Sequence, residues 1–182
     1  MLVRYDNVDL AYARLGRLLF AMSVLALSVA TYLQYAWSLN PCSLCIGQRY
    51  AFLFIGVAGA LLFSAPRGLQ LPAMGLATVA AVGGLGLAAR NLWVQIYPSP
   101  SCGMDALANF LNELPWVSLW PGMFEATGMC SDAIPNVLGV SFPGWALLGF
   151  AVTLMLLCAR MLRKRSRRMV GDLPFVNTQN PC

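Results

Sequence analysis

Residues 40–63, NPCSLCIGQRYAFLFIGVAGALLF, decide the fold of this chain. From residue 44 to residue 63 the stretch carries a single charged side chain, that of Arg49. About 20 mostly apolar residues are enough for a helix to cross a bilayer, so residues 44–63 predict a membrane span. Cys42 and Cys45 stand at its start, which places a pair of thiols beside the membrane surface.

Three other stretches have the same character: residues 15–37, 71–89 and 145–162. The composition agrees, because 59% of the 182 residues are hydrophobic and 10% are charged, whereas about 25% of the residues of a soluble domain are charged. We therefore predict an all-α membrane protein, a four-transmembrane-helix bundle that forms a single domain. Small residues at four-residue spacing, Gly56 with Ala60 and Gly84 with Ala88, predict close helix packing.

The basic residues are distributed unevenly along the chain. Ten of the twelve lie in the two tails, at the ends of the first and last spans, or between the second and third spans. Lys and Arg accumulate on the cytoplasmic side, so we expect cytoplasmic tails, residues 1–14 and 163–182, and outer loops, residues 38–43 and 90–144. The net charge of +5 reflects this topology and contacts with anionic lipid, and it does not indicate nucleic-acid binding.

The second outer loop is too long to be a plain connection, because loops beyond about 12–15 residues are usually functional. Residues 104–114 have the pattern of an amphipathic helix, and residues 116–129 are rich in aromatic and aliphatic side chains. Trp is favoured where the hydrocarbon meets the lipid headgroups. We expect this loop to contain a short interfacial helix.

The chain has six cysteines and no histidine. The missing histidine excludes His-based triads, His metal ligands and imidazole proton relays. The predicted topology places four thiols outside and two in the last span or the cytoplasm: Cys42, Cys45, Cys102 and Cys130, then Cys158 and Cys182. Disulfides persist in oxidising outer compartments, so we predict two outer bonds, Cys42 with Cys45 and Cys102 with Cys130. The second bond can be a structural staple or a redox-active bond.

The Cys42–Cys45 pair is poorly explained as a staple, because closing a four-residue loop restrains the unfolded chain little. A Cys-x-x-Cys pair at a helix start is more often redox-active or metal-binding. Cys45 lies in the first predicted turn, where backbone N–H groups and the helix dipole stabilise an anion. Arg49 follows one turn later on the same face and also favours the nucleophilic thiolate.

Polar residues at the end of the third span suggest a pocket near this pair. If the third helix continues outward, Arg90, Asn91, Trp93 and Gln95 reach the membrane depth of Arg49. Such a pocket suits a membrane-soluble molecule with polar oxygens. The alternative for Arg90 is a simple interfacial anchor.

Two motifs together resemble the bacterial disulfide bond formation protein B family, DsbB. The first is Pro41-Cys42-x-x-Cys45-x-x-Gln48-Arg49, and the second is Gln95-x-Tyr97-Pro98-Ser99-Pro100 leading to Cys102, with Cys130 later in the same loop. The number of spans, the loop lengths and the order of cysteines extend the resemblance over nearly the whole chain.

The resemblance implies a quinone-coupled thiol oxidase of the bacterial inner membrane that reoxidises a DsbA-like periplasmic thioredoxin-fold oxidase. Cys102 would form a mixed disulfide with the partner, Cys130 would resolve it, and electrons would pass to Cys42 and Cys45. Ubiquinone or menaquinone would then accept them beside Cys45, Arg49 and Asn91. These residues are the catalytic and cofactor-binding candidates, and no metal site is expected.

Two positions depart from the pattern of the best-known member of the family. Gln48 replaces an acidic residue and Asn91 replaces a histidine, so proton delivery to a quinone cannot use imidazole. Two alternatives of other classes are a metal-binding membrane protein that uses the Cys-x-x-Cys pair, and an interaction protein whose outer loop is stapled by disulfides. The vitamin K epoxide reductases also combine membrane spans with Cys-x-x-Cys chemistry, but their cysteines occur in a different order.

Overall fold

The computed structural model describes residues 2–97, 106–128 and 139–171, with side chains described between residues 10 and 163. Cys102, Cys130 and Cys182 lie outside the described residues. What the sequence predicts for these three thiols therefore remains a prediction.

In these ranges the regular secondary structure is helical. The α-helices are α1 (Leu2–Ala36), α2 (Ser43–Ser64), α3 (Gln70–Ile96), α4 (Ala106–Asn112), α5 (Pro121–Phe124) and α6 (Phe142–Gly171), and a 3-10 helix (Arg67–Leu69) precedes α3. Four segments are long and apolar enough to cross a membrane: Leu10–Ala36, Ser43–Ser64, Arg67–Ile96 and Phe142–Arg163. The predicted fold class, an all-α membrane protein with a four-helix bundle, is confirmed.

The helix ends differ from the predicted spans in one place that matters for function. The third apolar stretch stops at Arg90 in the sequence, but α3 continues to Ile96. Arg90 is exposed at the helix surface, so its charge does not interrupt the backbone hydrogen bonds of the helix. The additional turns of α3 contain Asn91, which is buried in the bundle. The interfacial placement of the outer loop remains a prediction.

The first turn of α2 follows directly from its sequence. Cys42 is the N-cap, with extended backbone angles (φ −81°, ψ 166°), and its sulfur accepts a hydrogen bond from the Cys45 N–H. The helix ends where Ala65 turns extended (ψ 158°), because a residue before proline, here Pro66, is pushed out of the helical region. The Cys-x-x-Cys motif is thus the start of a membrane-spanning helix.

The helices pack in the order α1 on α2, α2 on α3 and α3 on α6, and α6 also touches α1. The core between them is formed largely by alanine and leucine side chains, with a few aromatic rings among them. Phe52 of α2 stacks on Phe150 of α6 with ring centroids 4.2 Å apart. Phe150 lies directly against Gly84 of α3, where a side chain would collide with the ring. Gly84, singled out by its spacing, is therefore a packing position.

Helices α1 and α2 approach each other closely at a pair of glycines. A Cβ atom added to Gly59 would lie 2.8 Å from the Gly16 carbonyl oxygen and 2.8 Å from the Phe20 nitrogen, and one added to Gly16 would lie 2.6 Å from the Gly59 carbonyl oxygen. One turn away, Gly56 faces Ser23. Small residues allow helix backbones to meet in lipid, which has little hydrophobic drive for association.

Replacing Gly59 tests this crossing. We expect Gly59→Ala to destabilise the bundle by about 1–3 kcal/mol, because the new methyl group overlaps backbone atoms that cannot rotate away. The measurement is thermal or denaturant unfolding in detergent. The matched control is Gly83→Ala, since a Cβ there has no heavy atom within 4 Å; an equal loss of stability in both variants would contradict the interpretation.

Candidate functional site

The two thiols of the Cys-x-x-Cys motif meet at the first turn of α2. The Cys45 N–H donates to the Cys42 sulfur at 3.4 Å, and the Cys42 thiol donates to the Cys45 sulfur across 2.9 Å. Cys42 is buried, with 2% of its surface exposed, and Cys45 is partly buried. The helix start therefore holds the two sulfurs in contact, and its exposed N–H groups favour negative charge on them.

Asn91 approaches the same pair from α3. Its Nδ2 donates to the Cys45 sulfur at 3.3 Å, and its side chain is fully buried, at 0% exposure. Its Oδ1 has no hydrogen-bond partner in the described part of the chain. A donor aimed at the sulfur stabilises a thiolate there, and a buried acceptor without a donor marks a place for a polar ligand atom or water.

Two glutamines near the pair share this property. The Nε2 atoms of Gln48 and Gln95 are buried and find no partner among the residues that the structure describes. Gln48 follows Cys45 by one turn of α2, and Gln95 follows Asn91 by one turn of α3. Unsatisfied buried amides are rare in native proteins, so each glutamine marks a place for a polar ligand atom or water, one helical turn from Cys45 or from Asn91.

Arg49, one turn after Cys45, is buried with 6% of its surface exposed. Its NH1 donates to the Met123 carbonyl oxygen at 2.9 Å, and its NH2 donates to Gln34 Oε1 at 2.6 Å. Gln34, from α1, did not emerge from the sequence patterns. The signal that marks it is a long polar side chain near the outer end of a predicted span, where such a group is costly without a partner.

The other polar residues at the end of α3 are placed differently. Arg90 and Trp93 are exposed, and Trp93 packs against the Tyr97 ring at 4.8 Å between centroids. Asn91 and Gln95 thus face the bundle, whereas Arg90 and Trp93 face away from it. Cys158 is exposed on α6, in the half of that helix that leads away from the thiol pair.

The chain segment before Cys130 runs beside Cys42. The N–H groups of Thr127 and Gly128 donate to the Pro41 carbonyl oxygen at 3.0 and 3.1 Å, and Gly128 forms a parallel bridge with Cys42. A side chain on Gly128 would collide with the Asn40 backbone. The chain segments around residues 40–42 and 127–128 can therefore approach this closely only because residue 128 is glycine.

Asn112 of α4 holds the same segment from the other side. Its Nδ2 donates to the Ala126 carbonyl oxygen at 3.1 Å, and its Oδ1 accepts from the Ala126 N–H at 2.9 Å. The amide side chain therefore imitates a neighbouring strand. Residues 125–128 are fixed between α4 and the approach to α2.

The chain is similar to known proteins over most of its length. A sequence profile described as "Disulfide bond formation protein DsbB" matches residues 13–160, which is most of the chain. The chain belongs to the disulfide bond formation protein B family. The matched region includes the four apolar helices almost in full and both segments that meet at Cys42.

Individual members of the DsbB family are similar over nearly their whole length. "Disulfide bond formation protein B 1" of Burkholderia lata is 41% identical over 171 residues, which cover 91% of this chain and 99% of the relative. "Disulfide bond formation protein B" of Burkholderia ambifaria is 40% identical over 171 residues, with the same coverage. The "Disulfide bond formation protein B 1" of Pseudomonas savastanoi pv. phaseolicola is 38% identical over 168 residues, or 89% and 98% of the two chains.

Membership in the DsbB family identifies the protein as a protein-disulfide oxidoreductase, a membrane thiol oxidase that works with DsbA. It also favours the redox interpretation of the Cys-x-x-Cys pair over the metal-binding and stapling alternatives. The remaining question is how the residues around Cys45 serve that reaction.

We expect Asn91→Leu to slow the reaction of Cys45 with iodoacetamide about tenfold at neutral pH, because a charge-assisted hydrogen bond to the sulfur is lost. The measurement is the alkylation rate of Cys45 in the reduced protein, followed by mass spectrometry of the peptide. Gln70→Leu, at the other end of α3, is the matched control. An unchanged rate in Asn91→Leu would show that the amide does not act on the thiolate.

Proposed function

We propose that this thiol oxidase passes two electrons from the partner to Cys102 and Cys130, then to Cys42 and Cys45, and finally to a membrane quinone. The observation that carries the proposal is the pairing of residues 127–128 with Pro41 and Cys42. Cys130 follows Gly128 by two residues, and two residues of chain span at most about 7 Å. The described segment therefore ends beside Cys42, two residues before Cys130 in the sequence.

The first step exchanges a disulfide with the partner. A thiolate of the reduced, DsbA-like periplasmic partner attacks Cys102, a mixed disulfide forms, and Cys130 leaves as a thiolate. The second thiol of the partner, rather than Cys130 as the resemblance implied, then attacks the mixed disulfide and releases Cys102, because attack by Cys130 would only reverse the first exchange. The partner leaves oxidised, and the Cys102 and Cys130 pair has gained two electrons and two protons.

The second step transfers these electrons within the chain. The Cys130 thiolate attacks Cys42 of the Cys42–Cys45 disulfide, and Cys45 leaves as a thiolate. Cys102 then attacks Cys130, which restores the first disulfide and releases Cys42. The geometry suits these roles, since Cys42 lies beside the incoming segment, whereas the Cys45 sulfur receives the Asn91 N–H.

The residues around Cys45 fit a quinone. A quinone ring carries two carbonyl oxygens that become hydroxyl groups on reduction, so it needs donors before reduction and an acceptor afterwards. Arg49 carries five N–H donors, and the partnerless Oδ1 of Asn91 is a buried acceptor. These two residues would hold ubiquinone or menaquinone beside Cys45, and the bound quinone supplies an acceptor for two electrons and two protons.

Proton transfer to a quinone cannot use a histidine in this chain, so the amides near Cys45 can only orient the groups that exchange protons. With no histidine present, Asn91 Oδ1 can accept a hydrogen bond but cannot carry a proton of its own. Gln48, also an amide, has a buried Nε2 that can orient a water or a ligand oxygen. The protons themselves would arrive from the thiols of the pair and from water.

The proposed orientation would put the thiol pair and the partner on the same side of the membrane. The protein is a multi-pass membrane protein of the bacterial inner membrane type, and the distribution of basic residues supports cytoplasmic termini. With this orientation, the start of α2, the end of α3 and residues 106–128 would lie at the periplasmic side, together with the proposed partner. The membrane lipid contacts the exposed apolar side chains of the four spans.

A cysteine substitution tests the electron path. We expect Cys45→Ser to lower quinone-dependent oxidation of reduced DsbA at least about a thousandfold, because without a Cys42–Cys45 disulfide no acceptor remains for the loop thiols. The measurement is turnover of purified protein with added ubiquinone. The control is a Cys158→Ala, Cys182→Ser double variant, which should retain normal turnover. Unchanged turnover in Cys45→Ser would contradict the proposed function.

A second substitution tests the quinone site. We expect Arg49→Ala to raise the KM for ubiquinone about tenfold or more, since it removes the N–H donors that would hold a ring oxygen. Circular dichroism checks that the helices persist. Arg90→Ala, which removes an exposed arginine from the end of α3, is the matched control. An unaltered KM in Arg49→Ala would remove the assigned quinone role.

A further inference from the structure

Three separate parts of the chain meet at the side chain of Gln34. Its Oε1 accepts from Arg49 NH2 of α2 at 2.6 Å, and its Nε2 donates to the Gly122 carbonyl oxygen of α5 at 2.8 Å. Arg49 also contacts α5 directly, because its NH1 donates to the carbonyl oxygen of Met123, the residue after Gly122, at 2.9 Å. The result is a ring of three hydrogen bonds that joins α1, α2 and α5.

The chemistry of the partners determines which residue can occupy position 34. A guanidinium only donates and a carbonyl oxygen only accepts. A side chain that bridges them must therefore offer an acceptor to one and a donor to the other, at the reach of a glutamine. A carboxylate satisfies Arg49 but not Gly122, and an apolar side chain satisfies neither.

Neighbouring contacts show that α5 is seated on α1 at this point. Thr31, one turn before Gln34, donates to the Met123 sulfur at 3.4 Å. Tyr35 lies so close to Gly122 that a side chain at residue 122 would collide with its hydroxyl group. On α2, Tyr50 stacks on Phe124 with centroids 5.2 Å apart. The ring of hydrogen bonds is thus the polar centre of a larger contact.

The position of α5 on α1 determines where residues 125–128 lie. Glu125 follows α5 directly, and residues 125–128 lead to the pairing of Thr127 and Gly128 with Pro41. Four residues of chain leave little freedom between the two attachment points. A shift of α5 relative to α1 would therefore also move Thr127 and Gly128, which lie beside Pro41 and Cys42.

We propose that Gln34 is a positioning residue that couples the orientation of Arg49 to the docking of residues 121–128 against Cys42. The inference rests on the proposed function, because Arg49 is assigned to the quinone and the docked segment to the approach of Cys130. One amide side chain would then align both ends of the electron path through the Cys42–Cys45 pair.

Two nearly isosteric substitutions separate the two hydrogen bonds. Gln34→Glu keeps an acceptor for Arg49 but loses the donor to Gly122, whereas Gln34→Met loses both and creates little cavity. Asn112→Ala loosens the same segment from the α4 side without touching Arg49 or Gln34. Ser28→Ala, at an exposed position of α1, is the matched control.

The first measurement is amide hydrogen exchange of the peptide that contains Thr127 and Gly128, in purified full-length protein without partner. We expect exchange about tenfold faster in Gln34→Glu, Gln34→Met and Asn112→Ala, because the hydrogen bonds to Pro41 open more often. Ser28→Ala should match the wild type. Wild-type exchange in both Gln34 variants would overturn the proposal, whatever the outcome for turnover.

The second measurement separates KM from kcat for ubiquinone-dependent oxidation of reduced DsbA. We expect Gln34→Glu and Asn112→Ala to lower kcat with KM within about twofold of wild type, and Gln34→Met to lower kcat and also raise KM severalfold. Equal KM values in Gln34→Glu and Gln34→Met would overturn the part of the proposal that concerns Arg49. If the wild-type protein did not oxidise DsbA at all, the proposed function would fail, while hydrogen exchange would still test the docking role of Gln34.

Discussion

A buried arginine in the second turn of α2 organises the end of the bundle that holds the thiol pair. Arg49 is 6% exposed, and a charge at that depth is costly unless acceptors surround it. Its acceptors are supplied by Gln34 of α1 and by the backbone of α5. Because these bonds hold α5 in place, residues 125–128, which follow α5, reach the position beside Cys42. The hydrogen bonds of this one buried charge therefore connect α1 and α2 with α5, and α5 leads to the segment beside Cys42.

The thiol pair itself depends on a second constraint, the start of a helix. A helix begins with N–H groups that have no partner inside the helix, and Cys42 meets one of them as the N-cap of α2. The same geometry brings Cys45 into contact with Cys42 and leaves its sulfur open to Asn91. The thiol pair therefore lies at a place where negative charge is already favoured, in a chain without histidine.

Much of the fold was predictable because its causes are local. The spans follow from the length of apolar stretches, and the position of Cys45 in the first turn follows from Pro41 and the spacing of the cysteines. The family resemblance rested on the same local motifs and proved correct. Packing was predictable in part: Gly84 and Gly56 lie at helix contacts, but the crossing of Gly16 with Gly59 was not visible, because each glycine is defined by a neighbour in another helix.

The candidate site divides in the same way. The sequence alone determined that two thiols and Arg49 share the first turns of a membrane helix, because residues three or four apart in a helix must be neighbours. Only the tertiary structure decided that Asn91 reaches Cys45 across 46 residues of chain, that Gln34 holds Arg49 across 15, and that Met123 meets Arg49 across 74. Such contacts depend on how separate helices are turned and packed against each other. The spacing of residues along the chain does not encode how the helices are rotated. A side chain such as Gln34, in a largely apolar helix, therefore acquires its role only in the tertiary structure.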